Sequence, residues 1–503
     1  MQAHRWTATA EAACLALFFA WLIWLPMPFG SVVEKARLPL IAVPLALLVL
    51  AALLRLWATR DRTNAAQPTR PWLIWGNGAL LFIAAGALQL VPLPPSLLQL
   101  ASDESARIWN GAARVAALAG VPTSNLHPIT VDPQQTTFEV LRLCALFATF
   151  TVAALLIRNH ARRRALAIAL CLGAVFEALY GLREAALQRY EIWGWVNKLI
   201  FHRVTGTFVN PNHFGHYVAI ILPMALFLAA ADWRSAGDRD TPHLRRIALV
   251  FEHSGLRTSF ALVSALLCTT ALLLSQSRGA MVAAAAGILF TIALLPGKRV
   301  ARIGYATIAG IALITSLVLF LGTERTLRRF VPTDIEINAL DGRRIAVRAG
   351  IDIWNRFPIF GSGLGTFERV VTMDQKEGLD LTYHHAHNDY IEIAATAGTL
   401  GAVIALVTFA GGYVWLLRMT FGVASRELSW RRRAFQAAAL ASLTIAAIHA
   451  LFDFNFYIPA NPATLMAMAG AAVASIDHDK RNRRVFAGAP EASVDAQDKR
   501  SRR

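Results

Sequence analysis

The sequence predicts an all-α polytopic membrane protein of about 12 transmembrane helices, with one large outer loop carrying short surface helices. Three observations predict it. Hydrophobic residues make up 56% of the 503 and charged residues only 16%. Apolar runs of membrane-spanning length recur along nearly the whole chain, more than a soluble fold could bury. The connections between them alternate between strongly basic and weakly basic.

The expected spans lie near 12–29, 38–57, 72–92, 138–157, 165–182, 213–231, 258–275, 279–295, 303–322, 389–417, 434–452 and 460–476. Residues 12–29 read as the first span rather than a removed signal peptide, because further apolar runs follow and no small-residue cleavage site stands out. The four cysteines (Cys14, Cys144, Cys171, Cys268) fall inside apolar runs and read as small buried side chains, without disulfide or metal spacing.

One set of connections is basic: 55–70, 158–164, 234–257, 298–302, 418–433 and the tail from Lys480. About 30 of the 49 Lys+Arg sit in this set or at the N-terminus. The positive-inside rule makes these segments cytoplasmic, and an even span count then places both termini there. The net charge of +17 is thus an orientation signal, and no nucleic-acid partner is expected. Residues 1–477 are expected to form the membrane domain, with 478–503 a disordered basic tail that could rest on anionic lipid.

The other set faces outward and includes three long loops, 93–137, 183–212 and 323–388. Long loops are where working surfaces sit. Polar clusters far apart in sequence reach this one face. His384-His385-Ala386-His387-Asn388-Asp389 runs into an apolar helix that opens with Gly398-x-x-Gly401. Three readings of it stay open: a polar lead-in with Asn388 or Asp389 as N-cap, a metal site, or one neutral imidazole as general base. Gly398 and Gly401, one turn apart, would permit close helix approach. Ser277-Arg278-Gly279 interrupts two nearly continuous apolar runs, which puts a fixed cation at the membrane edge. The stretch from His202 and Arg203 to Asn212 and His213 is rich in groups that hydrogen-bond sugars or phosphates, with Asn212 as an expected N-cap.

From Asp341 to Trp354 the pattern predicts a helix lying on the membrane. Val347, Ile351 and Trp354 form its apolar face; Arg344, Arg348 and Asp352 share another, with Arg348 and Asp352 an i,i+4 pair. A Gly-rich turn follows from Gly361 to Gly365, without the features of a nucleotide loop. Asp453 and Asn455 add a further polar spot, and Asp453 is suited to pair with one of the arginines. A base and arginines at a lipid interface suit transfer from a lipid diphosphate. The protein must neutralise the leaving group and deprotonate the attacking hydroxyl. One displacement needs a base and no carboxylate nucleophile, and neither Glu368 nor Asp389 has an evident partner for that second role.

His387-Asn388, nine residues, then Gly398-x-x-Gly401 resembles the signature of O-antigen ligases and the related Wzy-type polysaccharide polymerases. Ser277-Arg278-Gly279, the Gly206-Thr207-Phe208 to Asn212 segment and the Gly361 to Phe367 turn are similar to segments of the same family, and the resemblance covers roughly 200–460. It implies a GT-C-like fold and an inverting, metal-independent glycosyltransferase without cofactor. Such an enzyme takes a glycan from undecaprenyl diphosphate on the periplasmic side of the bacterial inner membrane. His387 matches the family's base. Arg278 matches its diphosphate-holding arginine, with Arg203, Arg343, Arg344 and Arg348 as candidates to share that role. Asn388, Asn212, Asp453, Gly398 and Gly401 are supporting residues. The acceptor could be lipid A–core, the end of another glycan or a protein side chain. A glycolipid flippase is the rival from another class, but it would carry repeat symmetry and midplane charges, whereas here the polar residues gather at one face.

Overall fold

The computed structural model describes residues 2–59, 70–196, 203–235, 237, 241–294, 334–373, 383–422 and 429–487. The described residues are helical almost throughout. The elements are α1 (Gln2–Trp24), α2 (Glu34–Thr59), α3 (Arg70–Leu88), α4 (Pro95–Ala101), α5 (Asp103–Leu118), α6 (Pro133–Leu156) and α7 (His160–Ala186). A small antiparallel hairpin follows, β1 (Glu191–Ile192) with β2 (Trp195–Val196). Then come α8 (Pro211–Ser235), α9 (His243–Leu274), α10 (Arg278–Leu294), α11 (Asp334–Arg356), α12 (Phe367–Met373), α13 (Asp389–Phe421), α14 (Trp430–His449) and α15 (Ala460–Ala487).

Every expected span except 303–322 falls on a helix; 303–322 lies outside the described residues. Among the described residues, six helices are long and apolar enough to cross a membrane: those of α2, α6, α7, α8, α9 and α13. Shorter apolar helices lie at Ala8–Trp24, Ile74–Leu88, Arg278–Leu294 and Ala460–Ala474. α14 belongs to neither group. It opens on Arg431, Arg432 and Arg433, and its apolar residues from Ala434 to Ala446 are buried by neighbouring helices. α15 runs on to Ala487, past residue 477 where the membrane domain was expected to end.

Local signals explain the boundaries. Asp132 caps α6 by accepting from the Gln135 N–H (3.1 Å), and Pro133 takes the first helical position, where no N–H is needed. α8 is the hub, packed along α9, α10, α14 and α7. Its side chains from Phe214 to Ala225 are almost wholly buried, so it reads as apolar all round.

Two sequence expectations change. α11 buries in the protein a stripe other than the expected Val347–Ile351–Trp354 face. Its buried stripe is Ala346, Gly350, Ile353 and Phe357, packed with Phe367, Val370, Val371, Ala386 and Ala395 of its own protein. Helical spacing fits both stripes equally, and only the neighbours decide between them. Arg348 and Asp352 are exposed, and the i,i+4 pair expected of them is not formed.

The second change concerns Gly398. It breaks α13 instead of permitting two helices to approach: its φ is 68° and its ψ −178°. The groups freed by the break are met by the Pro358–Gly363 turn. Thr399 and Leu400 N–H donate to the Pro358 and Ile359 carbonyls (2.8 and 3.1 Å), while Ser362 and Gly363 N–H donate to Ala395 and Thr396 (3.1 and 3.0 Å). Buried Gln89 of the α3 end ties both sides, donating to Phe360 and Thr396 carbonyls (2.6 and 2.8 Å) and accepting from Leu364 N–H (3.0 Å). Gly401 meets Phe82 of α3 at ordinary contact distance. The first turns of α13, from Asp389 to Ala397, are thus held as a separate short helix.

A Cβ at Gly398 would sit 2.2 Å from the Ile359 carbonyl oxygen, in a backbone region that side chains avoid. Gly398→Ala should therefore destabilise the protein by at least about 1–3 kcal/mol. A thermal melt in detergent checks this, and an unchanged midpoint would mean that the break relaxes freely.

Candidate active site

The polar clusters meet at one end of the bundle. Asp453, in the connection between α14 and α15, is their common point. It is 1% exposed and has four neighbours from distant elements. His387 Nδ1 lies 3.1 Å from its Oδ1, and the Phe454 N–H donates to the same oxygen at 3.0 Å. Asn212 Nδ2 donates to Oδ2 at 3.0 Å. Arg343 approaches Oδ2 at 3.7 Å, and His213 Nε2 approaches Oδ1 at 3.6 Å. Burial would raise the Asp453 carboxyl, but His213, His387 and Arg343 outweigh it and hold the group well below the usual carboxylate range.

Asn212 is not the N-cap expected of it. α8 begins at Pro211, and Asn210 Oδ1 accepts from the Asn212 N–H (2.9 Å). This frees the Asn212 side chain to accept from Arg203 (3.0 Å) while donating to Asp453. Arg203 Nε also donates to the Ser275 carbonyl (2.8 Å), which ties it to the turn that carries Arg278. Arg278 opens α10 and is exposed; beside it, a Cβ at Gly279 would lie 3.0 Å from the His449 ring at the end of α14. Of the adjacent arginines, Arg343 turns toward Asp453 while Arg344 and Arg348 are exposed. Thr207 is buried and engaged internally, with Glu177 of α7 and the Pro26 carbonyl, so it is part of the scaffold.

Asn388 is the N-cap of α13, accepting from Tyr390 and Ile391 N–H (3.0 and 3.1 Å). Its amide also donates to the Leu451 carbonyl (3.1 Å), and Asp389 N–H donates to Ala450 (2.9 Å). The helix start is therefore sewn to the segment that carries Asp453. His387, just before this cap, has a φ of 51°, a strained left-handed backbone that the surrounding bonds maintain. Against an ionised carboxylate, Nδ1 carries the ring proton. In the neutral ring Nε2 then keeps its lone pair, the tautomer that a general base needs.

The three histidines separate. His384 pairs with Glu368 at 2.9 Å, and both side chains are more than half exposed. His385 Nδ1 lies 2.6 Å from Glu392 Oε1, and Glu392 Oε2 accepts from the Ala386 N–H at 2.9 Å. Glu392 is buried, one turn into α13. Sequence reading did not single out Glu392, Gln89 or the buried Arg142–Glu139 pair (2.6 Å), whose Arg142 also donates to the Phe456 carbonyl at 2.9 Å. For Glu392, Glu139 and Arg142, charge inside an apolar helix was the available signal. Among the described residues, no group of three or more His, Cys, Asp or Glu is arranged to hold a metal ion.

Residues 263–406 match the family model described as O-antigen ligase. This stretch is similar to that family. It runs from within α9 into α13 and contains Arg278, Arg343, His387, Gly398 and Gly401. It is shorter than the 200–460 region of resemblance, and Arg203, Asn212 and Asp453 fall outside it although they complete the polar centre. No curated protein matches the chain.

Because its carboxyl is depressed in the fold, Asp453 stabilises the protein fully above the unfolded carboxylate value of about 3.9. That contribution is lost as pH falls below this value and through the lower folded one. Asp453→Asn should destabilise the protein at pH 7 by on the order of 3–5 kcal/mol, as for a broken buried pair, seen as a lower melting temperature. The gap to wild type should begin to close below about pH 4. A gap constant through that window would mean that the charge of Asp453 is not what stabilises the fold.

Proposed function

We propose that this protein is an inverting, metal-independent glycosyltransferase. It moves a glycan from undecaprenyl diphosphate to a sugar hydroxyl at the periplasmic face of the inner membrane. In this reading the chain has twelve spans in a GT-C-like arrangement, with both termini cytoplasmic. The observation that carries the proposal is His387, aimed by buried Asp453, which Arg343 also approaches, inside the stretch that matches the O-antigen ligase family model.

His387 Nε2 accepts the proton of the acceptor hydroxyl. The oxygen attacks the anomeric carbon as the bond from that carbon to the diphosphate oxygen breaks, and a single displacement inverts the centre. The charge left on the diphosphate is met by Arg278, exposed at the start of α10, with Arg344 and Arg348 presented from α11. Arg203 and Arg343 act mainly through the carboxylate, one by way of Asn212 and the other directly.

His387→Ala should cut transfer by about 10²–10⁴-fold while the protein accumulates normally in the membrane. Wild-type product levels would remove His387 as the base. Arg278→Lys should also be impaired, because a point charge does not replace the guanidinium fork; full activity would reduce Arg278 to a generic cation. Chelators should leave transfer intact, and a loss reversed by added metal would overturn metal independence.

Gels of surface glycans from a deletion strain identify the acceptor. Lipid A–core without long chains, with lipid-linked polymer accumulating, marks a ligase. Single repeats capped on core mark a polymerase. Unchanged glycans with an unglycosylated protein mark a protein oligosaccharyltransferase.

A further inference from the structure

Three imidazoles surround the Phe454 ring. His385 stacks on it (4.2 Å between centroids, 23° between planes), while His387 and His213 meet it edge-on (4.9 and 4.5 Å). Two of the three, His385 and His387, repeat one design. Each is about a quarter exposed, at 26% and 24%, and each turns Nδ1 to a carboxylate that is 1% exposed. In both rings Nε2 is the nitrogen left for a ligand.

The two carboxylates differ. Asp453 divides its charge among His387, Asn212, the Phe454 N–H, Arg343 and His213. Glu392 accepts from His385 and the Ala386 N–H. The groups facing His385 are acidic on balance: Glu392 on α13, Glu368 on α12, and Glu139 on α6 with its partner Arg142. The neutral ring of Tyr457 packs beside it at 5.0 Å. The opposing titratable groups are His387 and His213 across Phe454. His385 is therefore the imidazole placed to carry a proton.

Resting on the reading of the site as a diphosphate-dependent transferase, we propose that His385 is a second catalytic imidazole. It is held as a cation by Glu392, and its Nε2–H donates to a diphosphate oxygen of the leaving group. As the bond from the anomeric carbon to the diphosphate breaks and electrons move onto the leaving oxygen, His385 supplies a charge-assisted hydrogen bond, while the hydroxyl proton goes to His387. Burial alone would lower the His385 pKa. The Glu392 carboxylate more than offsets that and raises it, so the cation persists to higher pH and is lost as pH rises through the raised value.

The test measures binding of a short-chain polyprenyl diphosphate, and transfer against pH, for purified wild type, His385→Gln and His385→Arg. His385→Gln should bind the diphosphate about 10–100-fold more weakly, the value of one hydrogen bond to a charged group. It should also lose the alkaline-side fall in transfer expected of wild type. His385→Arg keeps the charge and should recover most of the binding. Undiminished diphosphate affinity in His385→Gln overturns the proposal, even if transfer is reduced. So does a failure of His385→Arg to bind better than His385→Gln while both remain folded. Wild type that binds the diphosphate through His385 but transfers no glycan would sink the transferase reading and the catalytic role, and leave only the diphosphate contact standing. Wild type that does not bind the diphosphate overturns both.

Discussion

A buried carboxylate that must be neutralised organises this molecule. Asp453 sits 1% exposed at the end of an apolar bundle, where an unpaired charge would cost several kcal/mol. The chain meets that cost with donors from separate elements: Asn212 and His213 from the start of α8, Arg343 from α11 and His387 from the approach to α13. Each donor is in turn tied to something else. Arg203 reaches Asn212 and the Ser275 carbonyl, which draws in the turn before Arg278. One electrostatic requirement therefore sets the positions of the groups proposed to act on substrate.

The break in α13 at Gly398 is the second constraint. A continuous helix would carry Asp389 to Ala397 along the axis of the span. The break lets that short piece take its own direction, and it is fixed by backbone bonds to the Pro358–Gly363 turn and by Gln89. The same turn leads into α12, so the arginine-bearing α11 and the histidine-bearing start of α13 are held as one body by a shared apolar cluster. The strained backbone of His387 is affordable because Asn388 and Asp389 bind the end of α14 on its far side.

Much of this was legible in the sequence. Arg278 was marked by its place between two apolar runs, and α11 by its helical period. The polar meeting point of α8, α10 and α13 followed from alternating loop charge. The reading went astray where two local patterns fit equally. Val347–Ile351–Trp354 and Ala346–Gly350–Ile353–Phe357 are both helical stripes, and the protein's own apolar cluster takes the second. Asn212 fits a cap by residue type, but Asn210 fits as well and sits before the proline. A Gly-x-x-Gly step fits helix contact as readily as a helix break, and the sign of φ at Gly398 decided it.

The sequence by itself determined the helices, their apolar character and the gathering of polar clusters at loop ends. Hydropathy and charge are properties of each residue and need no partner. The tertiary structure decided which histidine received which carboxylate. His387 and Asp453 lie 66 residues apart, Asn212 and Asp453 241, and Gln89 and Thr396 307. Hydrogen bonds act over about 3 Å. Which of three neighbouring histidines meets Asp453, which meets Glu392 and which stays exposed is therefore written only in how the helices pack.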